Sequence, residues 1–291
     1  MIQRRVVFLA VFAVGITTLA HAQSTLASAQ FFESVFATPP KQDVFRANGK
    51  TIGRARWWTI ENRKSAYAGL TLLLIDVDAS SIDLAIDGSK GFQELAAPSP
   101  QALVVLSGGT WAGDIDPTKV DRRVAAGLVV PTAGERSPLN NNWVKDRRGG
   151  VLLRCANGTL TIVAAELFAG SKPCSGGPYQ ALQSNTMLLR DGRGDNIKYD
   201  TGANRVAIGI ASGRVFIAGA FDDTGLALPL RDFLQFIASA VTFAGAAKPT
   251  AINLEGACAA MVYLPRSGQR FGGCGRKQFL VNRLILSKRG A

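Results

Sequence analysis

Histidine is almost missing from this sequence. His21 is the only one, and it lies in an N-terminal stretch with the anatomy of a secretory signal. Arg4 and Arg5 precede an apolar run from Val6 to about Leu19, and Ala20-His21-Ala22 gives a small-residue cleavage site before Gln23. The run is short for a membrane-spanning helix, which needs about 20 apolar residues. No later stretch is long and apolar enough to span a membrane, so the expected product is a periplasmic or secreted protein that begins at Gln23 and has no histidine. That excludes a Ser-His-Asp or Cys-His nucleophilic system and any histidine-ligated metal site. Proton transfer is left to carboxylates, Lys, Tyr, Cys or water. For an exported hydrolase, paired carboxylates are the default.

Acid is also scarce. Lys and Arg number 33 against 21 Asp and Glu, a formal net charge of +12, and loss of Arg4 and Arg5 with the leader lowers it to +10. Such a surface attracts anionic polymers, which in an envelope are phosphorylated glycans, lipopolysaccharide or teichoic-type chains; the alternative is that the charge only aids solubility. Nucleic acid is not an expected partner, because export separates the protein from it and no aromatic–basic RNA-binding motif is present. Cysteine is limited to Cys155, Cys174, Cys258 and Cys274. An even count in an oxidising compartment favours disulfides. Three connectivities are possible. The local pairs Cys155–Cys174 and Cys258–Cys274 are favoured because each brackets a short, turn-rich excursion. The spacings fit no zinc pattern, and Asp76, Asp78, Asp83 and Asp87 lack the spacing of a calcium loop. No metal or cofactor is expected.

Linkers, low-complexity segments and internal repeats are absent too. What is present is a chain of 291 residues, 47% apolar, enough for a sizeable core. Strand signals dominate. Continuous apolar runs at Leu70–Asp76, Ile82–Ile86 and Ala102–Leu106 read as buried strands, the first two joined by a turn. Val151–Cys155 and Thr159–Ala164 read as a hairpin around Asn157-Gly158. Leu182–Arg190 reads as one strand ending at Asp191-Gly192. Arg205–Ile210 and Val215–Ala220 form a second hairpin around Ser212-Gly213, and Phe279–Leu286 is the last strand. Residues 131–150 are polar and turn-rich, a surface loop that is either a plain excursion or a lid. Between Pro229 and Ala244, the spacing of Leu230, Phe233, Leu234, Ile237 and Val241 predicts a helix, with Pro229 and Asp232 suiting its start and Gly245 its end. Phe31, Phe32, Val35 and Phe36 form one face of a short helix in a lead-in before Pro39-Pro40. Trp57-Trp58 is either core or a sugar-stacking pair. The expected fold is α+β: one domain, residues 51–291, on a mixed, largely antiparallel sheet with few helices.

The chemistry gathers on Thr250–Val262, TAINLEGACAAMV. A buried strand ends at Glu255-Gly256, so a carboxylate stands at a strand end beside a glycine that permits close approach. Asn253 precedes it by two residues. Asp222 and Asp223 follow the strand Val215–Ala220 and are expected at the same edge. Ser107-Gly108-Gly109 ends another buried strand, and its amides form either an ordinary turn or a nest for an anion such as phosphate. Arg205 opens its strand, either to hold a phosphate by two hydrogen bonds or to make a surface ion pair.

These motifs, in this order, resemble the phosphodiester glycosidase family. Asn253 to Ala260 resembles its NLDGGGS signature, Arg205 to Ile217 its RTAIGI hairpin, Gly225 to Leu228 its GLTL helix entry, and Leu182 to Gly192 its Q-x-x-P-x-L stretch. Ser107 to Trp111 sits where an NGGFF-type motif is expected. The chain departs from the pattern at Glu255 for Asp, Ser107 for Asn, and Ala257-Cys258-Ala259 for small glycines. The resemblance implies hydrolysis of sugar-1-phosphodiester bonds in envelope or exopolysaccharide glycans. Glu255 would be the main catalytic group, with Asp222 and Asp191 as further candidates. Ser107, Gly108, Gly109, Arg205, Asn253 and Gly256 would bind substrate. The alternative is a non-catalytic binder of anionic glycans on the same scaffold.

Overall fold

The computed structural model describes residues 29–62, 65–88, 99–109, 111–112, 124–134, 136–195, 197, 200–273, 280 and 282–290. The expected leader, Thr110, Cys274 and Phe279 lie outside them. Twenty strands are described. The first ten are β1 (Lys41–Ala47), β2 (Lys50–Thr59), β3 (Thr71–Asp78), β4 (Ile82–Gly88), β5 (Ala102–Ser107), β6 (Trp111–Ala112), β7 (Val124–Ala125), β8 (Val129–Val130), β9 (Ala133–Gly134) and β10 (Gly150–Cys155). The rest are β11 (Leu160–Ala164), β12 (Tyr179–Ser184), β13 (Met187–Arg190), β14 (Arg193–Gly194), β15 (Arg205–Ala211), β16 (Arg214–Phe221), β17 (Thr250–Gly256), β18 (Met261–Leu264), β19 (Gln269–Gly272) and β20 (Arg283–Lys288). Four α-helices accompany them: α1 over 29–36, α2 (Asn141–Lys145), α3 (Ala165–Ala169) and α4 (Leu230–Phe243).

The expectation of a largely antiparallel β protein with few helices holds, but the expected single sheet is replaced by several. An eight-stranded sheet runs β1-β2-β3-β16-β15-β17-β13-β14, a six-stranded one β19-β18-β5-β20-β4-β9, and a four-stranded one β11-β10-β12-β8. Among the described strands, pairing is antiparallel apart from β4 with β9. The inner faces of these three sheets share one core, with Ile75, Ile208 and Ile252 meeting Leu84, Leu106, Leu152 and Leu182. The other face of the eight-stranded sheet is covered by α1 and α4 through Phe32, Phe36, Phe233 and Phe236. The central strands β3 and β16 therefore bury both faces. That is why they read as continuous apolar runs rather than alternating ones. Leu73, Ile75 and Val77 face one core, and Leu72 and Leu74 the other.

Local turn chemistry explains the hairpins. Asn48-Gly49, Asp191-Gly192 and Ser212-Gly213 each have positive φ at both positions, as a two-residue loop matching strand twist requires. The first of these joins β1 to β2, so part of the expected lead-in belongs to the main sheet. β3 and β4 are joined by a turn, as expected; it is a 3₁₀ turn capped by Asp78, which accepts the Ser80 N–H at 2.9 Å, and it sends the chain from one sheet to another. One expectation needs correction. Leu182–Arg190 is two strands in different sheets, because the Ser184 hydroxyl accepts the Thr186 N–H at 3.2 Å and breaks the run. Within 131–150, Asn140 caps α2 and Trp143 is buried, which anchors this part of the expected loop. Trp57 and Trp58 pack into opposite cores.

Candidate active site

β17 carries Ile252 and Leu254 into the inter-sheet core and Ala251 onto the helical side. Its pairing with β15 slips near the end. Arg205 faces Gly256 while Ala207 faces Asn253. Leu254 and Glu255 together thus oppose Val206, a β-bulge that re-aims the side chain of the bulged strand. Glu255 is 8% exposed. Burial pushes its carboxyl up to about 8, against the smaller opposing effect of the Gly256 N–H, which donates to Oε1 at 3.0 Å. At neutral pH this carboxyl holds its proton.

Arg205 on β15 faces the next residue, Gly256. Its guanidinium lies 3.5 Å from where a Cβ on Gly256 would be, so glycine at 256 leaves room for the cation. Burial lowers the Arg205 pKa, and the Asp200 carboxylate opposes that. Arg205 is thus held by burial, and not by a surface ion pair. One guanidinium nitrogen donates to the Thr201 carbonyl. Nε is buried with no hydrogen-bond partner, as are Asn253 Oδ1 and Asn282 Nδ2. A buried polar atom without a partner costs about 1–3 kcal/mol. Three such atoms lie on residues at these strand ends.

The Ser107-Gly108-Gly109 turn reaches this region through β18 and β12. Ser107 is fully buried; its hydroxyl accepts the Met261 N–H at 3.1 Å and donates to the Met261 carbonyl at 3.3 Å. Met261 opens β18, five residues past the end of β17. The Gly108 N–H donates to the Asn282 carbonyl at 3.2 Å, and the Gly109 N–H to Asn282 Oδ1 at 2.6 Å. These amides are therefore engaged by Asn282 and do not form an open anion nest. Gly108 is glycine for a steric reason: a Cβ there would lie 1.8 Å from Asn282 Oδ1. A Cβ on Gly109 would lie 3.0 Å from the Gln183 carbonyl, and the neighbouring Ser184 hydroxyl donates to the Asn253 carbonyl. The ends of β5, β12, β15 and β17 are joined by these contacts.

Asp222 and Asp191 do not complete a carboxylate pair. Asn204, fully buried, holds the Asp222 backbone next to Arg205 through bonds of 3.0 and 2.8 Å. The Asp222 carboxylate, however, accepts from its own turn: the N–H groups of Gly225 at 2.7 Å and Leu226 at 3.0 Å, and the Thr224 hydroxyl. Asp191 lies at the other end of β17. Its N–H meets Thr250 Oγ1 at 3.3 Å, and five residues of strand, about 17 Å, separate Thr250 from Glu255. The acidic residues near the β3–β4 turn are also engaged. Asp76 meets Arg56 and Arg214, Asp83 meets Arg154, and Asp87 meets Arg283. Among the described residues, no three His, Cys, Asp or Glu side chains gather as a metal site. Two participants were missed in the sequence. Asn282 follows an apolar stretch with no motif to flag it, and Asp200 shares no element with the Arg205 it influences.

No family model matches the chain, and no curated protein matches it. Solved structures do. The fold is similar to that of two solved structures. The catalytic domain of zebrafish N-acetylglucosamine-1-phosphodiester alpha-N-acetylglucosaminidase, auto-inhibited by its pro-peptide, superposes with a TM-score of 0.57 at 14% identity, over 87% of this chain and 89% of that one. A hypothetical protein from Synechocystis superposes with a TM-score of 0.53 at 11% identity, over 87% of this chain and 64% of that one. At these identities the likeness to the zebrafish domain concerns architecture alone. Cys155 and Cys174 form a disulfide, Cys258 is also disulfide-bonded, and no described helix is long and apolar enough to cross a membrane.

Proposed function

We propose that the protein is an exported hydrolase of glycosyl phosphodiesters, acting on sugar-1-phosphodiester bonds of envelope or exopolysaccharide glycans. The observation that carries this reading is the placement of a protonated, buried Glu255 on the strand next to Arg205, whose Nε has no partner. The cation suits the anionic phosphodiester. Glu255 gives its proton to the bridging oxygen as the bond from the anomeric carbon breaks, with the bonding pair leaving on that oxygen. Water adds to the anomeric carbon and releases a proton to solvent, and Glu255 is reprotonated from solvent. The products are free sugar and a phosphomonoester. Asn253 Oδ1, an acceptor, suits a sugar hydroxyl, and Asn282 Nδ2, a donor, suits a phosphate or carbonyl oxygen. The fold shared with the zebrafish phosphodiester glycosidase supports the substrate class.

The test uses the mature protein with N-acetylglucosamine-1-(methyl phosphate), measuring sugar and phosphomonoester together. Turnover falls as pH rises through about 8, because the protonated carboxyl is the active form. Glu255→Gln lowers kcat by at least about 10²-fold with little change in KM. Activity that appears only above that pH would make Glu255 a base, and full activity in Glu255→Gln would remove it from the mechanism. A second reading, a non-catalytic binder of anionic glycans, is favoured by the engagement of Asp222 in its own turn, which leaves Glu255 without a partner carboxylate there. It predicts binding of the same compound with no turnover.

A further inference from the structure

Most buried or half-buried cations of this basic protein have a carboxylate. Arg56 and Arg214 share Asp76, Arg154 meets Asp83, and Arg190 lies between Glu166 and Asp195. One corner is different. The β1–β2 hairpin displays Arg46, Lys50 and Arg54, all exposed and, among the described residues, none in an ion pair. The β18–β19 turn is brought against it. Arg266 donates to the Val44 carbonyl at 3.2 Å, and Val44 is the register partner of Arg54. Beneath, Trp57 and Phe271 meet edge to face at 5.6 Å and lock the two hairpins together. On the flank, the Arg270 guanidinium sits 4.9 Å over the Tyr263 ring. Burial lowers the Arg56 pKa, and the nearby charge of Arg54 adds to that against the opposing Asp76, so like charges crowd here.

Among the described residues, the carboxylates nearest this corner are otherwise engaged or covered. Asp43, on β1, is half-buried, with one oxygen fully covered. Asp76 is held by its two arginines, and Asp78 by the Ser80 and Ser81 turn. We propose that this corner is a docking strip for the polyanionic backbone of a phosphate-bearing glycan, separate from the Glu255 site. The strip continues toward that site. β18 runs from the turn back to Met261, about 10 Å along the strand, and Met261 is the residue that Ser107 holds at the candidate site. A chain lying on Arg54 and Arg266 is thereby positioned to present one of its bonds to Glu255. This placement rests on the function proposed above; the docking itself does not. A simpler role exists for the charges, since charged side chains on the edge strands β1 and β19 prevent pairing with other chains. That role is served by charge of either sign, whereas polyanion docking needs positive charge.

Charge reversal separates the two. Full-length mature protein is passed over immobilised poly(glycerol phosphate), with dextran as the uncharged control. Wild type binds the polyanion and not dextran, and binding weakens with salt. Arg54→Glu with Arg266→Glu keeps the wild-type oligomeric state and melting midpoint and loses at least about tenfold in affinity. Lys145→Glu with Arg193→Glu makes the same charge change on α2 and β14 and keeps the affinity. Equal binding by the first variant, equal loss in both, or no binding by wild type overturns the proposal. Turnover of N-acetylglucosamine-1-(methyl phosphate) is unchanged in Arg54→Glu/Arg266→Glu, while Glu255→Gln removes turnover and leaves polyanion binding. Failure of the strip and failure of the proposed reaction thus give different results.

Discussion

Glu255 shows how one side chain couples stability to chemistry. Its folded pKa of about 8 lies above the ordinary 4.5. The protonated carboxyl contributes its full stability below about 4.5, and that contribution is lost as pH rises through about 8. Glu255→Gln does not titrate. It should match wild type near pH 4.5 in a denaturant titration and exceed it above pH 8 by on the order of a few kcal/mol. No difference between the two pH values would mean that the carboxyl is solvated. Two residues on, Ala257 has φ of 51°, a left-handed conformation that strains any side chain. In the resembled family this position is a glycine. Ala257→Gly should therefore stabilise the protein by about 1 kcal/mol, read as a raised denaturation midpoint; destabilisation would show that the Ala257 methyl packs better than the backbone suffers.

At the scale of elements, the site depends on connections more than on strands. Asn204 ties the entry of β15 to the Asp222 turn and donates its N–H to the Gly225 carbonyl at 2.8 Å. α4 begins at Pro229 without a side-chain cap of its own; the Asp200 carboxylate accepts the Arg231 N–H at 2.9 Å instead. Asn204→Ala removes two buried hydrogen bonds and leaves the Asp222 backbone groups unmet. The expected cost is about 1–3 kcal/mol, with KM for the phosphodiester raised because Arg205 is the next residue. An unchanged denaturation midpoint would show that the turn holds without it. The strands and α4 were legible because their signals are local: apolar runs, Asn-Gly and Ser-Gly turns, and helical spacing closed by proline and glycine. The breaks at Thr186 and at the β3–β4 crossover were not, since an apolar run does not say which sheet receives it.

For the whole molecule, the eight-stranded sheet is the shared wall between two cores, and α1 closes one of them. Phe32 is fully buried and meets Phe236 at 5.6 Å between ring centroids. The lead-in is therefore part of the packing. Phe32→Ala should cost about 3–5 kcal/mol, measured by chemical denaturation, whereas a loss under 1 kcal/mol would make α1 a loosely attached arm. The residues alone determined the β-rich class, the hairpins, the helix before β17 and the interest of Asn253, Glu255 and Arg205, because each of these follows from nearest neighbours along the chain; the Cys155–Cys174 pair was one of three connectivities they left open. Only the tertiary structure decided which groups share a place. It put Asp191 beside Thr250, at the opposite end of β17 from Glu255, turned the Asp222 carboxylate into its own turn, and gave the Gly108 and Gly109 amides to Asn282. It also kept the Glu255 proton, by surrounding the carboxyl with core instead of water. Those outcomes depend on register, a β-bulge and burial, which are properties of strands once paired and are not written in any single stretch of sequence.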